Sequence, residues 1–228
     1  MDCDTLEKIN RNIAHAAERS GRTKDAVRLV AVSKRQSMEK IRQAVSCGQL
    51  LFGENYLQEA QKKITGDKNN LCWHFIGHLQ SNKAGLAVKL FDVIETVDRI
   101  KIARLLDKHA AQCGKNMDIL LQVNIGREKQ KHGVLPEHTE KLLRDILRET
   151  RCRVRGLMAM PPWSAHPEDS RPYFRNLRIL SEQLTDKGLF TDQDKIELSM
   201  GMSADYTIAV EEGATLVRVG TALFGRRE

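Results

Sequence analysis

Eight short apolar runs, alternating with stretches of helical spacing, constrain this chain more than any other feature. They are Arg28 to Lys34, Leu50 to Asn55, Cys72 to Gly77, Asp92 to Val97, Asp118 to Ile125, Val154 to Met160, Ile196 to Met200 and Thr215 to Gly220. Rich in Val, Ile and Leu and without clean alternation, they read as strands covered on both faces. Between them, Met38 to Val45, Leu57 to Ile64, Ile100 to Ala111, Tyr173 to Leu184 and Asp205 to Glu212 carry helical spacing and are followed by Gly48, Gly66, Gly114, Gly188 and Gly213. Glycine just past a helix end is the expected stop signal. His138 to Leu147 has the same spacing, and Gln80 to Leu90 is a weaker case with Gly85 in its middle. One helix precedes the first strand, with Leu6, Ile9, Ile13 and Ala17 on one stripe; Asp4 with Glu7 three residues on reads as its capping box.

Parallel neighbours need crossover connections, so strands alternating with helices predict a parallel sheet. No full helix is expected after the eighth strand, whereas one stands at the front. A closed (β/α)8 TIM barrel resolves this, because the N-terminal helix covers the gap beside the final strand. An open doubly wound sheet is the alternative, and it leaves that helix without an obvious place. At 228 residues, 41% hydrophobic and 29% charged, the chain suits one barrel, and residues 1–228 are read as a single α/β domain.

The net charge of +7 is spread among 30 acids without a block of one sign, which argues against nucleic acid as a partner. Five cysteines, odd in number and without a C-x-x-C pair, argue against a disulfide framework and a zinc site, so small buried or half-buried thiols are expected. An acidic start leading straight into an amphipathic pattern reads as no signal peptide, and no run approaches the roughly 20 apolar residues of a membrane span. A soluble, cytoplasmic protein is expected, and a monomer, since no apolar stripe is left beyond the assigned helix faces.

Barrels of this kind place their sites at the C-terminal mouth of the strands. This chain puts Lys34, Glu54, Asn55, His74, His78, Asp98, Asn124, Ser199, Ser203, Arg218, Gly220 and Thr221 there. Val30 and Val32 share Lys34's side of its strand by the period of two, so its stem rises from an apolar wall. Desolvation and nearby cations free the neutral amine that attacks an aldehyde; the alternative is a surface lysine opening a loop. Gly220-Thr221 and Ser199-Met200-Gly201-Met202-Ser203 follow the eighth and seventh strands, where barrels build phosphate sites from glycine-exposed N–H groups and a hydroxyl.

Arg218 interrupts an apolar strand and needs a partner. In a pyridoxal phosphate site that partner is the ring nitrogen, to which a permanently charged guanidinium donates without giving up a proton, leaving the ring a weaker electron sink. The alternative is an ion pair within the barrel, for example with Glu197. His74 and His78, without acids at metal spacing, read as supporting or core groups, and no metal is expected. Asn124 ends a strand and is placed to hydrogen-bond across the mouth. Lys131, in a basic glycine-bounded loop, is either solvated or a transient ligand contact. Met158, Met160, Met200 and Met202 fill core or line the barrel top.

Ala31-Val32-Ser33-Lys34, Phe52-Gly53-Glu54-Asn55-Tyr56, His74 through Lys83, Gln122-Val123-Asn124, Gly156 through Met160, Leu198 through Tyr206 and Val217 through Gly225 together resemble the pyridoxal phosphate homeostasis protein family, whose domain is similar to the barrel of alanine racemase. The resemblance implies pyridoxal 5'-phosphate (PLP) held as a Schiff base on Lys34, with Ser199, Gly220 and Thr221 at its phosphate, Arg218 at the pyridine nitrogen and Asn55 alongside. It gives Lys131 a secondary ligand role, with His78, Met200 and Ser203 as further candidates. It also implies a role in vitamin B6 balance and delivery of PLP, with PLP-dependent apoenzymes as possible recipients, and indirect effects on amino acid and keto acid pools, without an established reaction. The tail Arg226-Arg227-Glu228 stops short of a tyrosine that many relatives carry.

A carrier is favoured over a catalyst on chemical grounds. Racemases of the similar barrel use a tyrosine from a second domain opposite the lysine, and a two-base reaction needs both bases within reach of one carbon. No second domain is expected after Glu228, and Tyr56, Tyr173 and Tyr206 all fall in or at the start of predicted helices. The alternative is a PLP-dependent amino acid racemase or a related low-activity catalyst using Lys34 alone.

Overall fold

The structure is a computed structural model that describes residues 2–65, 70–192 and 195–225. Eight parallel strands close into a barrel in sequence order. They are β1 (Arg28–Val32), β2 (Leu51–Glu54), β3 (Cys72–Phe75), β4 (Val93–Val97), β5 (Asp118–Val123), β6 (Arg153–Ala159), β7 (Glu197–Ser199) and β8 (Leu216–Val219). β1 and β8 seal the barrel in parallel register from Arg28 opposite Leu216 to Ala31 opposite Val219. The expected closed barrel is therefore present, and the open sheet is not.

The outer ring consists of α1 (Cys3–Arg19), α2 (Met38–Ser46), α3 (Leu57–Ile64), α4 (Ala84–Leu90), α5 (Ile100–Gln112), α6 (Pro136–Glu149), α7 (Arg171–Asp186) and α8 (Tyr206–Glu211), followed by a single turn, α9 (Thr221–Phe224). As anticipated, α1 covers the gap at the seam, packing on α8, α2 and α9. The turn α9 was not legible in the sequence. The expected capping box is corrected: Asp2 is the N-cap, accepting from Thr5 N at 2.9 Å. The helix thus starts early enough to put Asp4 inside its first turn, where an acid meets the positive end of the helix dipole. Gly48 ends α2 at φ +91, a conformation that would strain a side chain. Gly66 lies outside the described residues. The stretch from Gln80 splits into a 3-10 turn, Ser81–Lys83, and α4. Gly85 is tolerated because the His109 ring of α5 occupies the space, 3.2 Å from where a Cβ would sit.

Most of the core lies between sheet and helices. A smaller cluster of Val30, Leu51, Val93, Leu120, Met158 and Leu216 fills the barrel itself. Each such side chain contributes about 1.5–3 kcal/mol on burial. The cysteine reading needs a correction: Cys3 and Cys47 form a disulfide with Cα atoms 5.3 Å apart, joining the start of α1 to the end of α2. Sequence spacing could not show the pair, because it depends on how α1 docks. The other three are thiols: Cys113 exposed, Cys72 half-buried, and Cys152 buried, where desolvation pushes its pKa up to about 11.

Candidate functional site

A cleft of about 280 Å³ opens at the C-terminal end of the strands, lined by Lys34, Asn55, Ser203, Arg218, Gly220 and Thr221 together with Val32, Ile76, Met160, Met202 and Ala204. Five polar residues that the sequence singled out, with Gly220, therefore meet in one place. Lys34 is half-buried two residues past β1. The backbone turns sharply after it, with Arg35 in the left-handed region at φ 59, a conformation uncommon outside glycine.

That turn is held from beneath by a residue that sequence reasoning missed. Lys63, on α3 and only 5% exposed, donates to Ser33 O at 2.7 Å, to Glu54 Oε1 at 2.7 Å and to Glu59 Oε1 at 2.6 Å. Ser33 Oγ donates to the same Glu54 oxygen at 2.7 Å, and Glu59 Oε1 accepts from Arg35 N at 2.5 Å. The backbone on both sides of Lys34 is thus tied to one buried ammonium. Burial raises the Glu54 pKa, and the hydrogen bond and charge of Lys63 offset this only in part. The only sequence signal was the i,i+4 spacing of Glu59 and Lys63, which is usually a surface pair.

Asn55 follows β2, and Gly77 fixes its position. A Cβ on Gly77 would lie 2.1 Å from Asn55 O, so only glycine lets the two segments approach this closely. Asn55 Oδ1 is buried and without a hydrogen-bond partner among the described residues. Opposite, Gly220 is the N-cap of α9, a Cβ there would press on Val32 at 3.3 Å, and Ser203 Oγ accepts from Ala222 N at 3.3 Å. The opening N–H groups of such a turn have no partner within it.

Beneath the cleft a polar chain crosses the barrel. Arg218, 4% exposed, donates from Nη1 to Ser199 Oγ at 2.6 Å and from Nη2 to Ala159 O at 2.9 Å. Ser199 Oγ donates to Glu95 Oε2 at 2.5 Å, and Glu95 Oε1 meets His74 Nδ1 at 2.6 Å. Burial alone would pull the His74 pKa down, but hydrogen bonds to Cys72 and Glu95 and the charge of Glu95 outweigh it and raise it to about 9. Burial likewise works against ionised Glu95, yet His74, Arg218 and Ser199 hold its carboxyl below the usual range. The ion-pair partner of Arg218 inside the barrel is Glu95, at 3.9 Å, while Glu197 pairs with Arg28. Glu95 went unnoticed because Ile94-Glu95-Thr96 reads as ordinary strand.

The remaining candidates separate. The Ser199 hydroxyl sits in this buried chain, and Met200 is wholly buried in the core; neither lines the cleft. Lys131 lies beside it, in a neighbouring hollow that shares Met160, Met202 and Ala204, and donates to Pro161 O at 2.9 Å. Asn124 does not reach across the mouth: its Nδ2 donates to Glu128 O at 2.9 Å and to Lys131 O at 3.3 Å, stapling the loop after β5. His78 is exposed on the rim, stacked on His132, and its pKa is lowered first by partial burial and then by the His132 charge.

The family described as alanine racemase, N-terminal domain, matches residues 5–228 of this parallel barrel, which places Lys34 just past β1 and a glycine turn after β8. The pyridoxal phosphate homeostasis protein of Aquifex aeolicus is 40% identical over 227 residues, covering 99% of this chain and 98% of that protein. The chain belongs to the pyridoxal phosphate homeostasis protein family. Among solved structures, PipY of Synechococcus elongatus without PLP superposes with a TM-score of 0.87 at 35% identity, covering 99% of this chain and all 100% of that one. PipY with PLP bound gives a TM-score of 0.80 at 37% identity, covering 93% and 100%.

Proposed function

We propose that this protein binds PLP as a Schiff base on Lys34 and serves vitamin B6 homeostasis, holding the cofactor and passing it to PLP-dependent apoenzymes, with effects on amino acid and keto acid pools following indirectly. The observation that carries this reading is the convergence of Lys34, Asn55, Ser203, Arg218, Gly220 and Thr221 on one cleft. The residues fit the group: an amine for the aldehyde, the glycine turn at 220–221 with the Ser203 hydroxyl for the phosphate, and the orphaned Asn55 Oδ1 beside the ring. Arg218 is assigned to the ring nitrogen. Ser199 acts by holding Arg218 and Lys131 is a secondary contact. When bound, PLP supplies an electron sink for carbanions, and an arginine at its nitrogen keeps that sink weak.

A role as carrier is supported by what surrounds Lys34. Among the described residues lining the cleft, no His, Asp, Glu, Cys or Tyr accompanies it, whereas two-base proton transfer requires a second group within hydrogen-bond reach of the same carbon. Tyr206 is engaged elsewhere, accepting from Asn12 at 3.1 Å. We also take the protein as a cytoplasmic monomer. No helix among the described residues is long and apolar enough to cross a membrane, and of the exposed large apolar side chains Leu50, Tyr56, Leu147, Trp163, Ile179 and Met202, Trp163 and Met202 share one small hollow while the other four lie on other segments.

The test is α-proton exchange by NMR in deuterated water, with PLP-loaded protein, its Lys34→Ala variant and a panel of L- and D-amino acids. A visible PLP band that disappears in Lys34→Ala, with no exchange above that of free PLP, is the expected result. Lys34-dependent exchange at enzymatic rates would make the protein a racemase or related catalyst, and a colourless wild type would remove the PLP reading.

A further inference from the structure

Three consecutive strand ends bring together side chains that lie far apart in sequence. His78 follows β3, Asp98 follows β4 directly, and His132 stands in the loop between β5 and α6. One ligand atom from each lies within 4.8 Å of the others. The His78 and His132 rings are stacked, with centroids 3.7 Å apart and planes 15° from parallel. The spacing hid this group, because its members sit on separate loops that only barrel closure aligns.

The backbone carrying the two histidines and the carboxylate of Asp98 are held by residues outside the group. Thr96 Oγ1 donates to Gly77 O at 2.6 Å, and Arg99 Nη2 to Leu79 O at 3.4 Å, bracketing His78. Arg99 Nη1 donates to Asp98 Oδ1 at 2.5 Å and so sets the carboxylate, which retains further lone pairs for a ligand. Gln122 Nε2 donates to His132 O at 3.0 Å. Next to it Gly133, at φ +126, packs so closely on β5 that a Cβ would lie 2.6 Å from Asn124 N. Of these contacts, the one from Arg99 to the Asp98 carboxylate is of the kind that orients ligands in metal sites.

We propose that His78, Asp98 and His132 form a binding site for a divalent first-row transition-metal ion, of which zinc is the best match. Two imidazoles and a carboxylate suit zinc, and three protein ligands leave a coordination position for water or an anionic ligand. Magnesium and calcium prefer oxygen donors and are excluded by the two imidazoles. Both histidines are exposed, so turning the rings out of their stack to converge on one ion requires only side-chain rotation. The site uses none of the cleft-lining residues assigned to PLP, and it stands on the same mouth: Ile76, two residues before His78, lines that cleft.

The test uses tag-free full-length protein stripped with a chelator and titrated with Zn²⁺ against a chromophoric competitor, with Co²⁺ as a spectroscopic probe and Mg²⁺ as control. One Zn²⁺ per chain is expected. His78→Ala, His132→Ala and Asp98→Asn should each weaken binding by at least about tenfold, and exposed His138→Ala should leave it unchanged. A Zn²⁺-dependent rise in melting temperature, present in wild type and lost in the three variants while their circular dichroism is retained, is the second expected readout. Absence of saturable Zn²⁺ binding, or binding of one ion that the three substitutions do not move, would overturn the site.

Discussion

Lys63 shows how much of this site is decided by a side chain that never reaches it. Removing its ammonium would leave the Glu54 carboxylate buried without a counter-charge, Glu54 Oε2 already having no hydrogen-bond partner among the described residues. Lys63→Met is expected to cost about 3–5 kcal/mol, measured by urea denaturation, and pairing it with Glu54→Gln should restore most of that loss; a single-variant cost near zero would refute the hub. At this scale the sequence was legible where chemistry and strand end coincide, as at Lys34, Asn55, Arg218 and Gly220-Thr221. It was illegible where a residue's meaning depends on depth. Lys63 looks like one half of a surface pair, and Ser199 looks like a mouth residue until the barrel places its hydroxyl between Arg218 and Glu95.

Among the elements, the strands were readable because apolar runs bounded by turns leave little choice, and their edges moved by one or two residues at most. The helices were equally plain where glycine follows them, as Gly48 follows α2. The N-terminal helix concealed more: its cap is one residue before its start, and its first residue is bridged to Cys47. Periodicity carries no information about such a link, since the helices that carry these two cysteines, 44 residues apart in sequence, must first dock. Reducing the bridge should lower stability by about 2–4 kcal/mol, chiefly by freeing the unfolded chain, and Cys3→Ser should reproduce the effect without reductant. Equal denaturation midpoints for oxidised, reduced and Cys3→Ser protein would show that α1 is held by packing alone. In a reducing compartment the two cysteines are expected to remain thiols, so thiol counting on protein trapped from cells tests the cytoplasmic assignment.

The whole barrel is built around a charged belt, His74, Glu95 and Arg218, above an apolar plug. Because the His74 pKa is raised in the folded state, from 6.5 to about 9, the stability it contributes is fully present below pH 6.5 and is lost as pH rises through about 9. The denaturation midpoint should fall across that window, and His74→Gln should flatten the fall; an unchanged slope in the variant would assign the pH dependence to other groups. The β1–β8 pairing has a further consequence. Lys34 and the Arg218 to Thr221 segment come from opposite ends of the sequence and become neighbours only when this seam closes, a contact of very long range and therefore among the slower ones to form. A chain arrested with the seam open would hold the two halves of the cleft apart, so PLP is expected to load only onto closed barrels. Once loaded, it works as a clasp, since a ligand bound only by the closed form holds that form shut by mass action.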